Sequence, residues 1–105
     1  MAQYDVYANS NAAQRHLFPY VVQIQCDSLD GLPARVVIPL QRPRIAFDSL
    51  PRRLGQTVMV QGEALYVAVY FISAVPPKIL KSPVANVIEQ RAILTDALDA
   101  LQSGV

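Results

Sequence analysis

Apolar and polar residues alternate along much of the chain with the two-residue period that is typical of β-strands. The second predicted strand shows it most clearly, because Val22, Ile24 and Cys26 alternate with Gln23 and Gln25. This alternation predicts a half-buried strand with the apolar side chains, including the cysteine, on its inner face. On the same grounds we predict five strands, at residues 3–8, 17–26, 34–40, 56–61 and 64–72.

Two local patterns specify the middle of the predicted sheet. The third strand contains the continuous apolar run Val36, Val37 and Ile38, so both of its faces are expected to be covered. The fourth and fifth strands flank Gly62 and Glu63, which predicts a hairpin with Gly62 at a positive φ. The sheet is therefore expected to be largely antiparallel and built from neighbouring segments of the chain.

The last part of the chain has the period of an amphipathic helix. Ser82 and Pro83 are a favourable N-cap and first helical residue, so we predict that the helix begins there. Its apolar stripe consists of Val84, Val87, Ile88, Leu94, Leu98 and Leu101. The opposite face carries Glu89, Ala92, Asp96, Asp99 and Ser103. Ile93 lies away from the stripe, which favours a subunit interface at this residue.

Five strands followed by one C-terminal helix make the fold class mainly β with α. The length predicts a single domain, residues 1–105. Hydrophobic residues make up 52% of the chain and charged residues only 16%, which excludes a disordered protein and favours an oligomer. The formal net charge of +1 argues against binding nucleic acid or an anionic membrane through bulk charge.

The residue inventory limits the compartment and the chemistry. The N-terminal residues do not have the pattern of a secretion signal, and the longest apolar run is too short to span a membrane as a helix. We therefore expect a cytoplasmic protein. With one cysteine and one histidine, the chain cannot form an internal disulfide or a Cys/His zinc site, and no metal or cofactor is expected.

Two pairs of residues are weak candidates for catalysis. His16 and Cys26 could form a base and a nucleophile, but a cysteine in a strand pattern is usually a small buried side chain. Asp27 and Asp30 could act as paired carboxylates, but aspartates in a turn more often bond to their own backbone. We therefore predict no catalytic residue.

The strongest charge asymmetry lies between residues 35 and 53. This segment contains the arginines Arg35, Arg42, Arg44, Arg52 and Arg53, and its only acidic residue is Asp48. Such a segment fits a surface that meets phosphates or an acidic partner through charge-assisted hydrogen bonds. It also fits a solvated rim, and the composition alone leaves both interpretations open.

The chain resembles the CcdB toxins of plasmid and chromosomal toxin–antitoxin pairs. The resemblance is carried mainly by residues 25–40, QCDSLDGLPARVVIPL, which look like the hallmark stretch of that family. Weaker matches follow in the right order. They are Val6-Tyr7, Leu17-Phe18, Ala74-Val75-Pro76 and the final helix with Gly104-Val105.

The resemblance implies a fold, a mode of action and partners. The family fold is a small, bent antiparallel sheet, similar to an SH3-like barrel and to the MazF toxins, with one C-terminal helix. The resemblance implies a homodimer that is not an enzyme but binds the A subunit of DNA gyrase and traps the gyrase–DNA cleavage complex. It also implies a small CcdA-like antitoxin, whose disordered C-terminal segment wraps the toxin and whose N-terminal part binds operator DNA. The five arginines are then candidates to hold an acidic segment of that antitoxin.

The resemblance places the gyrase contact at Ser103, Gly104 and Val105, where the family has Trp-Gly-Ile. Ser103 departs from this pattern, because a hydroxymethyl group offers none of the stacking area of an indole. Gyrase poisoning is therefore expected to be weak, and a relative that keeps only antitoxin binding is one alternative. A MazF-type ribonuclease is the other, for which His16 and Arg35 are the best available acid–base and phosphate-binding residues.

Overall fold

The structure, a computed structural model, describes residues 2–29, 31–43 and 52–103. Within these residues the chain forms seven strands and one α-helix. The strands are β1 (Asp5–Ala8), β2 (Tyr20–Gln23), β3 (Arg35–Gln41), β4 (Thr57–Val60), β5 (Glu63–Val67), β6 (Ser73–Val75) and β7 (Ala85–Asn86), and the helix is α1 (Arg91–Ser103). The fold class is the predicted one, mainly β with a C-terminal helix. In the described part of the chain, no helix is long and apolar enough to cross a membrane.

The strands form one bent antiparallel sheet that nearly closes into a barrel. Its order is β4-β5-β3-β2-β1-β7, and β6 pairs with β3 beside this path. On one side β3 pairs with β2. On its other side, the first three residues of β3 pair with β6, and Leu40 and Gln41 pair with β5. The long third strand is therefore shared by both halves of the barrel.

Glutamine side chains link the two outer strands, β4 and β7. The side-chain amide of Gln90 donates to the Met59 carbonyl at 2.9 Å and accepts from the Met59 N–H at 2.8 Å. The amide of Gln61 donates to the Val84 carbonyl, just before β7, at 3.1 Å. These amides satisfy outward-facing backbone groups of an edge strand, which would otherwise be open to pairing with another chain.

The main core lies between the sheet and α1. It contains Val6, Val22, Ile38, Leu40, Val58, Val60, Leu65, Val67, Val69, Val87, Leu94 and Ala97. Tyr7, Val37 and Leu80 form a second cluster on the opposite face of β1 and β3. Both faces of β3 are thus covered, as its apolar run predicts. The predicted hairpin and the positive φ of Gly62 (+83°) are confirmed, but the two turn residues are Gln61 (φ +51°) and Gly62, because Glu63 already pairs with Val60 in β5.

The helix begins eight residues later than predicted. Residues 84–87 belong to the sheet, because Ala85 and Asn86 pair with β1 and the N–H groups of the flanking valines bond to β1 and to Tyr4. The hydrogen bonds to the edge of β1 stabilise an extended backbone here, and they outweigh the local preference of Ser82 and Pro83 for starting a helix. Ile88 is therefore an exposed residue of a short 3₁₀ turn and does not belong to the helical stripe.

The predicted fifth strand, residues 64–72, is too long. It ends at Val67, and a 3₁₀ turn at Val69–Phe71 leads into β6, which pairs with the start of β3. The predicted count of five strands is therefore wrong, since β6 and β7 add two. Both are two or three residues long, and a period of two cannot be recognised over so short a stretch.

The predicted alternation also fails at the end of β2. Gln23 and Gln25 are buried, whereas Cys26 is exposed with its Sγ 3.2 Å from the Ser28 hydroxyl. The Gln25 amide donates to the Leu29 carbonyl and accepts from the Val36 N–H. Because the strand ends at Gln23, the Gln25 side chain supplies hydrogen bonds that a continued strand would have made. These bonds hold the Gln25 side chain in a buried position.

Candidate functional site

The outward face of α1 forms a shallow depression that leads to Ser103. It is lined by Arg91, Ala92, Thr95, Asp96, Leu98, Asp99 and Gln102, which we call the helix face. Leu101, Gln102 and Ser103 are all exposed, so the last described turn projects into solvent. Ser103 is exposed, as its predicted outward position requires, but Leu101, which the predicted apolar stripe turns inward, is exposed as well. Gly104 and Val105 lie outside the described residues.

A cluster of four side chains borders the helix face, and we call it the Arg53 clasp: Arg53, Gln56, Asp96 and Asp99. The Arg53 guanidinium donates to Asp96 Oδ1 from Nη2 at 2.9 Å and from Nε at 3.2 Å. It also donates to the Asp96 carbonyl at 3.3 Å and to Asp99 Oδ2 at 3.2 Å. The Gln56 amide donates to the other Asp96 carboxylate oxygen. The clasp ties the turn at Arg52–Leu54 to the C-terminal half of α1.

These hydrogen bonds shift the ionisation of both charged partners. The guanidinium of Arg53, followed by the Gln56 amide, holds the pKa of the Asp96 carboxyl below its usual range. The pKa of Arg53 is raised, mainly by its hydrogen bond to Asp96. Burial lowers this pKa by a smaller amount, and the hydrogen bond to Asp99 raises it further. The Arg53–Asp96 pair of the clasp is therefore charged at neutral pH.

Arg35 and Arg42, the other predicted arginines with described side chains, lie apart from the clasp, each with its own partners. Arg35 is only 6% exposed, and its guanidinium donates to the carbonyls of Leu32 and Ala34. Arg42 pairs with Glu63 at 2.8 Å and donates to the carbonyls of Arg15 and His16. Arg44 lies outside the described residues, and so does the side chain of Arg52. Of the five, Arg42 and Arg53 have partly exposed heads in described positions.

Ile93 does not lie on the outward face of α1. The buried residues of α1 are Leu94, Ala97 and Ala100, and Ile93 is half-buried and packs against the main core. The helical-wheel argument for Ile93 is wrong, because it used Val84, Val87 and Ile88, none of which belongs to the helix. The predicted dimer interface at Ile93 can use only the part of this side chain that the core leaves exposed.

An apolar groove of about 370 Å³ lies on the other side of the sheet. Its apolar lining includes Phe18, Val21, Val37, Phe71, Val75 and Leu80. Phe71 stands at its mouth, 53% exposed, with its ring centroid 5.7 Å from Phe18 and 5.0 Å from Tyr70 in edge-to-face arrangements. The groove is not predicted from the sequence, because the apolar run at residues 67–72 predicts a continuous strand whereas the structure has a 3₁₀ turn there.

Part of the groove lining is polar, and two basic residues lie next to lining residues. None of the described lining residues is acidic; the polar ones are Asn9, Ser10, Gln14 and Ser73. Arg15 is bonded to the Asn9 carbonyl at 2.6 Å, and the exposed Lys78 adjoins the lining residue Ile79. The groove can therefore receive apolar side chains whose flanking residues carry negative charge.

The weak catalytic candidates are not brought together. His16 lies near Arg42 at the far end of β3 from Arg35, roughly 20 Å away along a strand of this length. Cys26 follows the opposite end of β2 from His16. Asp27 accepts a hydrogen bond from the Gln3 N–H at 2.7 Å, and Asp30 lies outside the described residues. The residues that the structure describes contain no cluster of potential metal ligands.

One comparison with known proteins bears on these surfaces. The family model described as CcdB protein matches residues 3–104 of the 105-residue chain. The match therefore includes the whole described barrel, the groove, the clasp and α1.

Proposed function

The chain belongs to the CcdB family and is thus a toxin of the CcdB type from a toxin–antitoxin system, and from this premise we propose that its target is DNA gyrase. In the proposed mechanism, the protein binds the gyrase A subunit in the cytoplasm and traps the complex of gyrase with cleaved DNA. The observation that carries the proposal is the helix face, which leads to the exposed residues 101–103 at the end of α1.

The proposed contact consists of Ser103, Gly104 and Val105, supported by the helix face. The last two residues match the glycine and the aliphatic residue of the family motif. Ser103 does not supply an aromatic ring, so the contact lacks a stacking interaction of about 1–3 kcal/mol. The gyrase activity that we propose is therefore weak. A protein that keeps antitoxin binding and has lost gyrase poisoning is the second candidate, and the serine at position 103 favours it.

We propose that a small CcdA-like antitoxin neutralises the protein by occupying the groove. Apolar anchors of an otherwise acidic segment fit the apolar lining and the basic residues Arg15 and Lys78 beside it. Arg42 and Arg53, which have partly exposed heads, are proposed as further contacts, together with Arg44 and Arg52. Arg35 is buried and already bonded to two carbonyls, so it is not part of the proposed contact.

The protein is also proposed to act as a homodimer. Exposed large apolar residues support association, namely Leu29, Leu32, Met59, Phe71, Ile72, Val84, Ile88 and Leu101. The exposed part of Ile93 remains the proposed interface. Sedimentation equilibrium at micromolar concentration is expected to give twice the chain mass of 11.6 kDa, and a single chain mass would contradict the dimer.

One purified sample can separate the candidate functions. It is assayed for gyrase-dependent DNA cleavage, for inhibition of supercoiling and for cleavage of single-stranded RNA without gyrase. The proposed function predicts weak but gyrase-dependent DNA cleavage and intact RNA. RNA cleavage would support a ribonuclease instead, and inactivity in all three assays would favour the relative that keeps only antitoxin binding.

A further inference from the structure

The apolar attachment of α1 to the barrel weakens toward its C-terminal end. Leu94 is the one large side chain among the buried residues of the helix, and the next two are Ala97 and Ala100. An alanine methyl buries little apolar area, and each buried methylene-sized group contributes only about 0.8 kcal/mol. The three residues that follow Ala100 are exposed. The half-buried Leu98 also packs against the main core, so the last two turns contact the barrel mainly through this one large side chain and two alanines.

The Arg53 clasp supplies a hold at this same part of the helix. The guanidinium contacts the Asp96 carboxylate through two nitrogens and reaches Asp99 one turn later. The guanidinium also donates to the Asp96 main-chain carbonyl, so it contacts the helix backbone as well as the side chains. Isolated surface ion pairs contribute little, but a network in which one guanidinium bonds to two carboxylates is a condition under which they contribute more.

The charges of the clasp also account for an unfavourable feature of the helix. Asp96 and Asp99 are like charges three residues apart, and Asp99 lies just before the last turn of the helix, where the macrodipole disfavours acids. Arg53 approaches from the barrel and forms ion pairs with both carboxylates, which reduces their mutual repulsion. Without it, the two acids would promote fraying of the last turns. Asp99 and Ser103 are separated by one helical turn on the same side, so fraying there would reach the proposed gyrase contact.

We propose that Arg53 is a positioning residue, which holds the C-terminal half of α1 against the barrel and so sets the direction in which the chain leaves the helix at Ser103. Its importance for gyrase binding rests on the proposed function, but its effect on the helix does not. Arg53 acts through Asp96 and Asp99.

The absence of tryptophan from the chain makes this proposal measurable. Ser103→Trp in the full chain introduces a single indole at the end of α1. In this background, Arg53→Ala is expected to lower the fluorescence anisotropy of the indole and to speed amide exchange of residues 97–103 by about threefold. Exchange of the central β3 amides is expected to stay unchanged. Arg53→Lys keeps the charge without the fork and is expected to recover only part of the anisotropy.

Arg91→Ala is the matched control, because Arg91 lies on the same helix and its guanidinium donates to the Ile88 carbonyl. It is expected to leave anisotropy and exchange at residues 97–103 unchanged. Unchanged values in Arg53→Ala would overturn the proposal. An equal acceleration of the β3 amides would also overturn it, since Arg53 would then stabilise the whole fold.

A binding experiment with the gyrase A subunit distinguishes a failure of this inference from a failure of the proposed function. If the Ser103→Trp protein binds the gyrase A subunit, Arg53→Ala is expected to weaken that binding about threefold, and unchanged binding would overturn the role of Arg53 in positioning the contact. If the Ser103→Trp protein does not bind, the proposed function fails. The anisotropy and exchange data still decide whether Arg53 holds the helix.

Discussion

The helix face and the groove differ in what surrounds their side chains. The carboxylates of the helix face at Asp96 and Asp99 are already engaged by Arg53 and Gln56. In the groove, the Phe71 ring is about half exposed beside a lining that is mostly apolar. One surface is polar and internally bonded, whereas the other leaves apolar area in contact with water.

This difference indicates how each surface gains binding energy. A partner on the helix face has to compete with existing ion pairs, so its affinity should depend on pH and salt. A partner in the groove gains mainly by removing apolar area from water, at about 25 cal/mol per Å². The groove is therefore the better anchor for a tightly bound antitoxin, and the helix face suits a contact whose strength depends on one aromatic residue.

The largest expected effect concerns the buried side of α1. Leu94→Ala is expected to lower the free energy of unfolding by about 2–5 kcal/mol, because it leaves a cavity between the helix and the barrel. Leu101→Ala is the control on the same helix, and its loss should stay below about 1 kcal/mol because Leu101 is 41% exposed. Urea unfolding measures both. Equal losses would mean that α1 is not anchored through Leu94.

A smaller effect on stability is expected in the groove. Phe71→Ala should cost at most about 1–2 kcal/mol, since half of the ring is already in water. It should clearly reduce the fluorescence of a bound apolar dye such as anilinonaphthalene sulfonate. Leu101→Ala removes a similarly exposed side chain outside the groove and should leave the dye signal unchanged. Equal dye signals from the two variants would show that the groove does not collect apolar ligands.

The smallest expected effect is a pH dependence of the stability that the clasp contributes to the fold. Because the pKa of Asp96 is lowered in the folded protein, its carboxylate stabilises the fold at pH values above the unfolded-state pKa of about 3.9. This stabilisation is lost as the pH falls through the lower folded-state pKa. The pKa of Arg53 is raised, so its contribution is lost only in strong alkali.

The urea midpoint of the original chain should therefore exceed that of Asp96→Asn by a constant amount from neutral pH to about pH 5, and the difference should shrink below about pH 4. Asp27→Asn is the control, because Asp27 accepts its hydrogen bond from the Gln3 N–H and lies outside the clasp. A difference that grows on acidification would contradict the direction of the Asp96 shift.

The parts of the fold that depend on long local patterns could be predicted from the sequence. The apolar run of β3 and the turn at Gly62 are examples, since each contains its own periodic or conformational signal. The start of α1 could not be predicted, because residues 84–87 bond to the edge of β1, about eighty positions away in the chain. The burial of Gln25 depends equally on partners at Leu29 and Val36 that alternation does not reveal.

The candidate site shows the same limit. The outward position of Ser103 follows from helical periodicity, which is local. The charge asymmetry of residues 35–53 identified Arg53 but not its partners, because Asp96 and Asp99 lie more than forty residues further along the chain. The groove combines residues of β2, β3 and β6 with the turns beside them, and no segment of the sequence contains enough of it to be recognised.

The central claim is that the end of the helix face, and not the groove, makes the proposed gyrase contact. The most direct test is gyrase-dependent DNA cleavage by the original chain, by Ser103→Trp and by Phe71→Trp, which adds the same indole to the groove. The account predicts weak cleavage with the original chain, about tenfold to a hundredfold stronger cleavage with Ser103→Trp, and no gain with Phe71→Trp. Strong cleavage by the original chain, or an equal gain from Phe71→Trp, would contradict it.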